Sequence, residues 1–276
     1  MLYAKPMTER VNLTVNEGVA QVRLSRSEKL NALDRAMFAA LVDAGQACIR
    51  DKGVRAVVIH GEGRAFCAGL DFGIFAEFGK RAEGAGAGPT LLQRSDESPA
   101  NLAQRVSYIW QEVPVPVIAA VHGVAYGGGL QIALGADMRY MHPDARLSVR
   151  EIEWGIIPDM AGTQMLRHLV GLDVAKELTF TGRVINGIDA KILGLATQLS
   201  DDPLQTALSV AREIASKSPD AIRAAKRLLN ESVHLSVQDG LRLEEQLQLS
   251  LMGRPNQLEA VSAGLQKRRA QFRDPS

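Results

Sequence analysis

Hydrophobic positions alternate near the start of the chain. Val11, Leu13 and Val15 share one face, Asn16-Glu17-Gly18 supplies turn residues, and Val19 to Leu24 runs back. That pattern predicts a β-hairpin. The period then changes. Asp34 stands where a helix N-cap is expected, and Phe38, Leu41, Gly45 and Cys48 behind it fall on one helical face. Val54 to His60 is a short, continuous apolar run, as in a strand buried on both faces. A second such run, Val115 to Val121, follows a helical pattern of Leu102, Val106, Ile109 and Trp110. Strands alternating with helices predict an α/β fold around a parallel sheet.

After Asp202 the strand pattern stops. Leu204, Leu208 and Ala211, then Ile222, Ala225 and Leu229, then Leu258, Val261, Leu265 and Phe272 are spaced as on helices. The chain therefore divides into an α/β core over residues 1–202 and a helical region over 203–276 that needs a surface to pack on. Within the core, residues 79–99 carry Gly84, Gly86, Gly88 and Pro89 among charges. They read as a surface insertion or a lid over a site.

Composition narrows the classes. Of 276 residues, 46% are hydrophobic, and 32 basic against 31 acidic residues leave a net charge of +1. No global field favours nucleic acid, and no apolar run reaches the roughly 18 residues of a membrane span. Met1 to Arg10 lacks an apolar signal core, and Cys48 and Cys67 form no CxxC. A reducing, cytoplasmic location is the expectation. The five histidines have no metal-ligand spacing, and no nucleotide-binding or zinc-protease motif occurs. Neither a metal nor a separate cofactor is expected.

Three segments carry candidate chemistry. Gly61-Glu62-Gly63-Arg64-Ala65-Phe66-Cys67-Ala68-Gly69-Leu70-Asp71 follows the first buried run, and His122-Gly123-Val124-Ala125-Tyr126-Gly127-Gly128-Gly129 follows the second. Both lie at carboxyl ends of strands, where open α/β sheets bind ligands. Gly127 to Gly129 opens a helix, whose free N–H groups favour a negative oxygen. Two such turns can aim two backbone donors at one oxyanion, or can simply let backbones pack closely. The third segment runs from Ser148 to Thr163 and holds Glu151 and Asp159 among Ile152, Trp154, Ile156 and Ile157. An apolar setting raises a carboxyl pKa and makes a better proton acceptor near neutrality. The structural alternatives are Glu151 paired with Arg150 or Arg146, and Asp159 capping the next helix.

These residues resemble the crotonase (enoyl-CoA hydratase/isomerase) family. Arg26-Ser27-Glu28-Lys29-Leu30-Asn31-Ala32-Leu33 is similar to its RPxxxNAL segment, and Ala65 to Asp71 to its AFxAGxD turn. His122 to Gly129 is similar to NGxAxGGG with His122 for Asn, and Glu151 to Gln164 to PExxxGxxPxxGGTQ with Arg150 for Pro. Gln266 to Phe272 resembles the terminal EKRxPxF. The resemblance implies a ββα spiral core with a helical trimerisation region. It implies an acyl-CoA thioester substrate, coenzyme A being part of that substrate, and a homotrimer or homohexamer. It implies an oxyanion hole from the N–H groups of Leu70 and Gly128, each such donor typically worth about 3–4 kcal/mol. Substrate and CoA contacts are implied for Lys29, Ala32, Ala68, Asp71 and Gln131, and for Lys267 and Phe272, the last two from this chain or a neighbouring subunit.

The acids choose among family members. Hydratases place glutamates at the positions of Gln131 and Glu151, and an amide cannot serve as a general base. Asp159 matches the aspartate of dienoyl-CoA isomerases, although those also carry an Asp at position 131. The reading leans to double-bond isomerisation with Glu151 and Asp159 as acid–base residues. A hydratase with Glu151 and Gln131 around a water, and a non-catalytic acyl-CoA-binding homologue, stay open. Cys67 reads as a buried thiol rather than a nucleophile, Trp110 and Trp154 as core, His122 as a turn residue bonded to backbone, and Arg268-Arg269 as a solvated face or a phosphate contact.

Overall fold

The two continuous apolar runs become the centre of one large sheet. The computed structural model describes residues 3–6, 9–74, 91–94, 96 and 98–275, so most of the Gly-rich 79–99 segment lies outside the described residues. Strands β1 (Tyr3–Pro6), β2 (Val11–Asn16), β3 (Val19–Leu24) and β4 (Ala56–Gly61) come first, with helix α1 (Arg35–Arg50) between β3 and β4. Helix α2 (Leu102–Glu112), β5 (Val117–Val121), β6 (Val124–Tyr126), α3 (Gly128–Gly135), β7 (Met138–Met141) and β8 (Arg146–Ser148) follow. Then come α4 (Gly162–Leu169), α5 (Leu172–Thr181), β9 (Ile185–Asn186), α6 (Gly187–Leu193) and β10 (Gln198–Leu199). The main sheet has the order β1-β2-β3-β4-β5-β7-β10, and β6-β8-β9 form a smaller one. The hairpin β2–β3 is antiparallel; β3, β4, β5, β7 and β10 are parallel.

Burial explains why β4 and β5 show no alternation. Val57, Ile59, Val117 and Ala119 pack into one apolar layer with α1, α2 and α3, while Ala56, Val58, Ile118 and Ala120 pack into a second on the opposite face. Helix α7 (Pro203–Ala215) supplies that second layer with Ala207, Leu208 and Ala211. Caps fix the helices: Asp34 accepts the Met37 N–H at 2.8 Å, and Asn101 and Gln104 form a reciprocal box at the start of α2.

Beyond α7, the chain forms α8 (Pro219–Ser232), α9 (Val237–Leu251) and α10 (Pro255–Leu265), with no strand among the described residues after Leu199. Buried Lys226 fastens α8 to the sheet. Its Nζ donates to the Trp110 and Val115 carbonyls at 2.8 and 3.0 Å and pairs with Asp137 at 2.8 Å. Leu229, Val233, Leu241, Leu249, Leu258 and Leu265 of this region remain exposed in the single chain. None of the described helices is long and apolar enough to cross a membrane.

Candidate active site

The two glycine turns leave β4 and β5 at the same end of the sheet and lean on each other. Cys67 N–H donates to Val124 O at 3.0 Å, and Tyr126 N–H donates to Cys67 O at 3.1 Å. A third strand of backbone joins them: Leu33 N–H donates to Gly69 O at 2.8 Å, and Asp71 N–H to Leu33 O at 3.0 Å. The approach is possible only without side chains. Gly69 has φ +92°, and a Cβ there would lie 2.6 Å from Tyr126 O and 3.7 Å from the Gly128 nitrogen. At Gly129 a Cβ would run into the Cys67 carbonyl. Gly127 N–H is occupied by Ser148 O at 2.9 Å. The amides of Leu70 and Gly128 have no hydrogen-bond partner among the described residues. Gly128 opens α3, so its N–H also lies at the positive end of a helix dipole.

Asn31 and Arg26 brace this arrangement. Asn31 Nδ2 donates to Ala65 O at 2.8 Å and Glu62 O at 3.0 Å, and its Oδ1 accepts the Arg26 N–H at 2.9 Å. Arg26 Nη1 reaches Asp71 Oδ2 at 2.6 Å and Ala32 O at 3.0 Å. The resemblance assigned neither residue a role of its own, although both lie in the quoted RPxxxNAL-like segment.

Glu151 packs against Gly127, the residue before the Gly128 amide. It sits in a 3-10 turn, Arg150–Trp154, and is 6% exposed. Its carboxylate rests against Gly127, with Oε1 3.3 Å from where a Cβ there would be. Oε1 accepts from Gln131 Nε2 at 2.5 Å, while Oε2 is buried without a partner. Burial, with the charge of Asp159 adding to it, holds the Glu151 carboxyl above its usual pKa. Burial likewise raises Asp159, whose side chain still reaches solvent in the single chain.

The cause is not the apolar run around the acids. Ile152, Trp154, Ile156 and Ile157 are exposed, so they do not desolvate Glu151. Trp154, expected in the core, is 47% exposed and meets Phe72 edge-on with ring centroids 5.3 Å apart. Their run is apolar without a period, and in its 3-10 turn only Glu151 is buried. The residues against Glu151 are instead Gly127 and Gln131, both of which also line a small apolar cleft with Leu130, Val149, Pro158 and Leu166. Glu151 pairs with neither Arg150 nor Arg146; Arg150 pairs with Glu153 at 2.7 Å and covers the Tyr126 ring. Asp159 does not cap α4, which starts after Ala161.

The remaining sequence-derived positions fall into two groups. Lys29, Ala32, Ala68 and Asp71 gather beside Arg26, and Ala68 N–H donates to Leu30 O at 2.9 Å. The Gly73 amide, with Arg26 and Lys29, holds the Asp71 carboxyl below its usual pKa. Lys267 and Phe272 belong to a tail that does not join them. Phe272 O accepts from Arg55 at 3.0 Å, and Arg55 precedes β4 at the end opposite Leu70. Arg268 is paired with Glu259 at 2.6 Å. His122 Nε2 hydrogen-bonds Gly63 O at 2.9 Å, as expected for a turn residue. Cys67 is fully buried, donates to Asn31 O at 3.1 Å, and burial pushes its thiol up to about 12.

Comparison with known proteins identifies this arrangement. A family model described as enoyl-CoA hydratase/isomerase matches residues 14–275. Mitochondrial methylglutaconyl-CoA hydratase of Mus musculus is 32% identical over 94% of this chain and 80% of its own length. Mitochondrial Delta(3,5)-Delta(2,4)-dienoyl-CoA isomerase of the same species is 31% identical over 91% and 77%. The crystal structure of an enoyl-CoA hydratase from Bacillus anthracis superposes with a TM-score of 0.82 at 28% identity, covering 99% of both chains. With the spiral α/β core and paired glycine turns in place, the chain belongs to the enoyl-CoA hydratase/isomerase family.

Proposed function

We propose that this enzyme moves a double bond along an acyl-CoA by way of a thioester enolate. Leu70 N–H and Gly128 N–H would hold the thioester oxygen. A proton α to a thioester is too weakly acidic for a free carboxylate to remove. Donors aimed at the developing oxyanion supply the missing stabilisation, about 3–4 kcal/mol each. Glu151 Oε2 takes the proton from C2, and the C–H electron pair passes into the enolate. Reprotonation by Asp159 at C4 of a 3-enoyl chain, or at C6 of a 3,5-dienoyl chain, leaves the shifted double bond. Glu151 then returns its proton to solvent, and Asp159 regains one from solvent. The raised pKa of each acid suits this exchange near neutrality.

One observation carries the reading: a buried carboxylate oxygen without a partner rests against Gly127, next in the chain to the partnerless Gly128 amide, and Gly69 packs the turn carrying the partnerless Leu70 amide against that same segment. Gln131 favours isomerisation over hydration. Both lone pairs of its carbonyl are taken by main-chain N–H groups, so it cannot accept a proton from a water. The relatives named above include a hydratase and an isomerase at nearly equal identity, and they do not choose between them. The exposed apolar residues of α8–α10 are proposed to be covered in a homotrimer or a dimer of trimers.

The test is incubation with 2-enoyl-, 3-enoyl- and 3,5-dienoyl-CoA in D2O, read by mass spectrometry. A shifted double bond with deuterium uptake and no 3-hydroxyacyl-CoA supports the proposal. Formation of 3-hydroxyacyl-CoA from the 2-enoyl thioester assigns the hydratase reaction instead, and no turnover of any member assigns a binding role.

A further inference from the structure

Gln131 occupies a position where an acid is expected in either reaction, and its hydrogen bonds give it a different task. We propose that Gln131 is a positioning residue: its amide bridges Glu151 to the turn carrying Asp159 and leaves Oε2 as the Glu151 oxygen that takes the substrate proton. This rests on the reading of Glu151 as the base.

The orientation of the amide is forced. Gln131 is 3% exposed. Its Oε1 accepts from Met160 N–H at 2.9 Å and Gly162 N–H at 3.0 Å. Ala161 between them has φ +65°, which turns two nearby amides towards one acceptor. A flipped side chain would set an NH2 group against two N–H donors. The Nε2 end therefore faces Glu151 and can only donate to Oε1. The carbonyl oxygen of a protonated carboxyl is a better acceptor than its hydroxyl oxygen, so this bond favours the proton on Oε2, the oxygen with no side-chain or backbone partner.

Backbone amides at Glu151 and Arg150, together with this bond, stabilise the charged form of Glu151 and oppose the burial that raises its pKa. The groups around Glu151 are few. The first turn of α3 brings neutral Gly127 and Gln131, the 158–162 turn brings Asp159, and Arg150 is engaged by Glu153 and Tyr126. A glutamate at 131 could accept from Met160 and Gly162, yet would have to face Oε1 with a second oxygen. The pair would then retain a proton to higher pH.

The test is exchange of the C2 hydrogens of hexanoyl-CoA with D2O as a function of pH, which needs the base but neither isomerisation nor hydration. Gln131→Leu removes the bond, and Gln131→Glu keeps the acceptor for the turn. Both are expected to move the acid limb of kcat/KM upward by about one pH unit or more, a roughly tenfold loss below the limb. A lowered rate with an unmoved limb in a folded variant would mark Gln131 as merely structural and overturn the proposal. The unmutated enzyme gives an independent readout: a Gln131 Nε2 proton, assigned by its absence in Gln131→Glu, shifts with the same apparent pKa as the exchange limb. A resonance insensitive to pH across that limb overturns the proposal too. Failure of the underlying reading shows separately, as undiminished exchange in Glu151→Gln.

Discussion

Gly69→Ala tests the two-turn arrangement directly. The glycine has φ +92°, where an L side chain adds strain of order 1–3 kcal/mol. Its new Cβ would lie 2.6 Å from Tyr126 O and needs about 3.2 Å, so the turns must part by roughly 0.6 Å. Tyr126 cannot retreat freely, because its N–H is bonded to Cys67 O and Cys67 N–H to Val124 O. The displacement therefore falls on the neighbouring donor, Leu70 N–H, relative to Gly128 N–H. A shift of this size in a reacting geometry costs about 10²-fold, comparable with losing one oxyanion donor.

The assay is saturation kinetics of C2 hydrogen exchange in hexanoyl-CoA, with urea unfolding of the same preparations. Gly69→Ala is expected to lower kcat about 10²-fold with little change in KM, because the donors act on the enolate more than on the ground state. Gly240→Ala is the control. Gly240 lies inside α9 with open space where a Cβ would go, so alanine should add about 0.5–1 kcal/mol of stability and leave kcat unchanged. A Gly69→Ala enzyme that loses stability yet keeps kcat within about threefold of the unmutated enzyme would refute the claim that contact between the turns sets the oxyanion site.

Other outcomes are equally specific. Asp159→Asn should lower isomerisation of 3-enoyl- or 3,5-dienoyl-CoA about 10²-fold while C2 exchange persists, since only the second proton transfer is lost. Glu151→Gln should abolish exchange, and it should also change the pH dependence of stability. The folded pKa of Glu151 lies above its ordinary 4.5, so its contribution is fully present below that value and is lost as pH rises through the folded pKa. The variant should thus gain stability relative to the parent at pH 8 compared with pH 4, measured by urea midpoints. Iodoacetamide at pH 8 should leave native activity intact, because Cys48 and Cys67 are buried with thiols pushed up to about 12; rapid inactivation tracking modification of Cys67 would contradict this.

The hydrophobic pattern revealed the framework because each strong signal had one dominant cause. The unbroken runs at Val54–His60 and Val115–Val121 mark strands covered on both faces, and the structure covers them with α1–α3 on one side and α7 on the other. The glycine turns were legible for a similar reason: few residues other than glycine fit where backbone meets backbone. The 152–157 run was not legible. Its apolar residues have no period to say which face is inward, and the one buried side chain in that 3-10 turn is the charged Glu151. Trp154 consequently lies at the surface beside Phe72 rather than in the core.

Position 131 marks where reading by residue type stops. As a letter, Gln131 registers only the loss of an acid; that loss tilts the reading towards isomerisation and leaves hydration and mere binding open. Its role depends on which way the amide points, and that is decided by two N–H groups 29 and 31 residues further along the chain. They converge because Ala161 takes a backbone conformation that its side chain does not advertise. Once the carbonyl is committed there, the amide nitrogen has no choice of partner, and the two oxygens of Glu151 become inequivalent. Reactivity at Glu151 is thereby a property of the 158–162 turn as much as of the glutamate. Substitutions at Ala161 should accordingly alter proton transfer without touching a reacting atom.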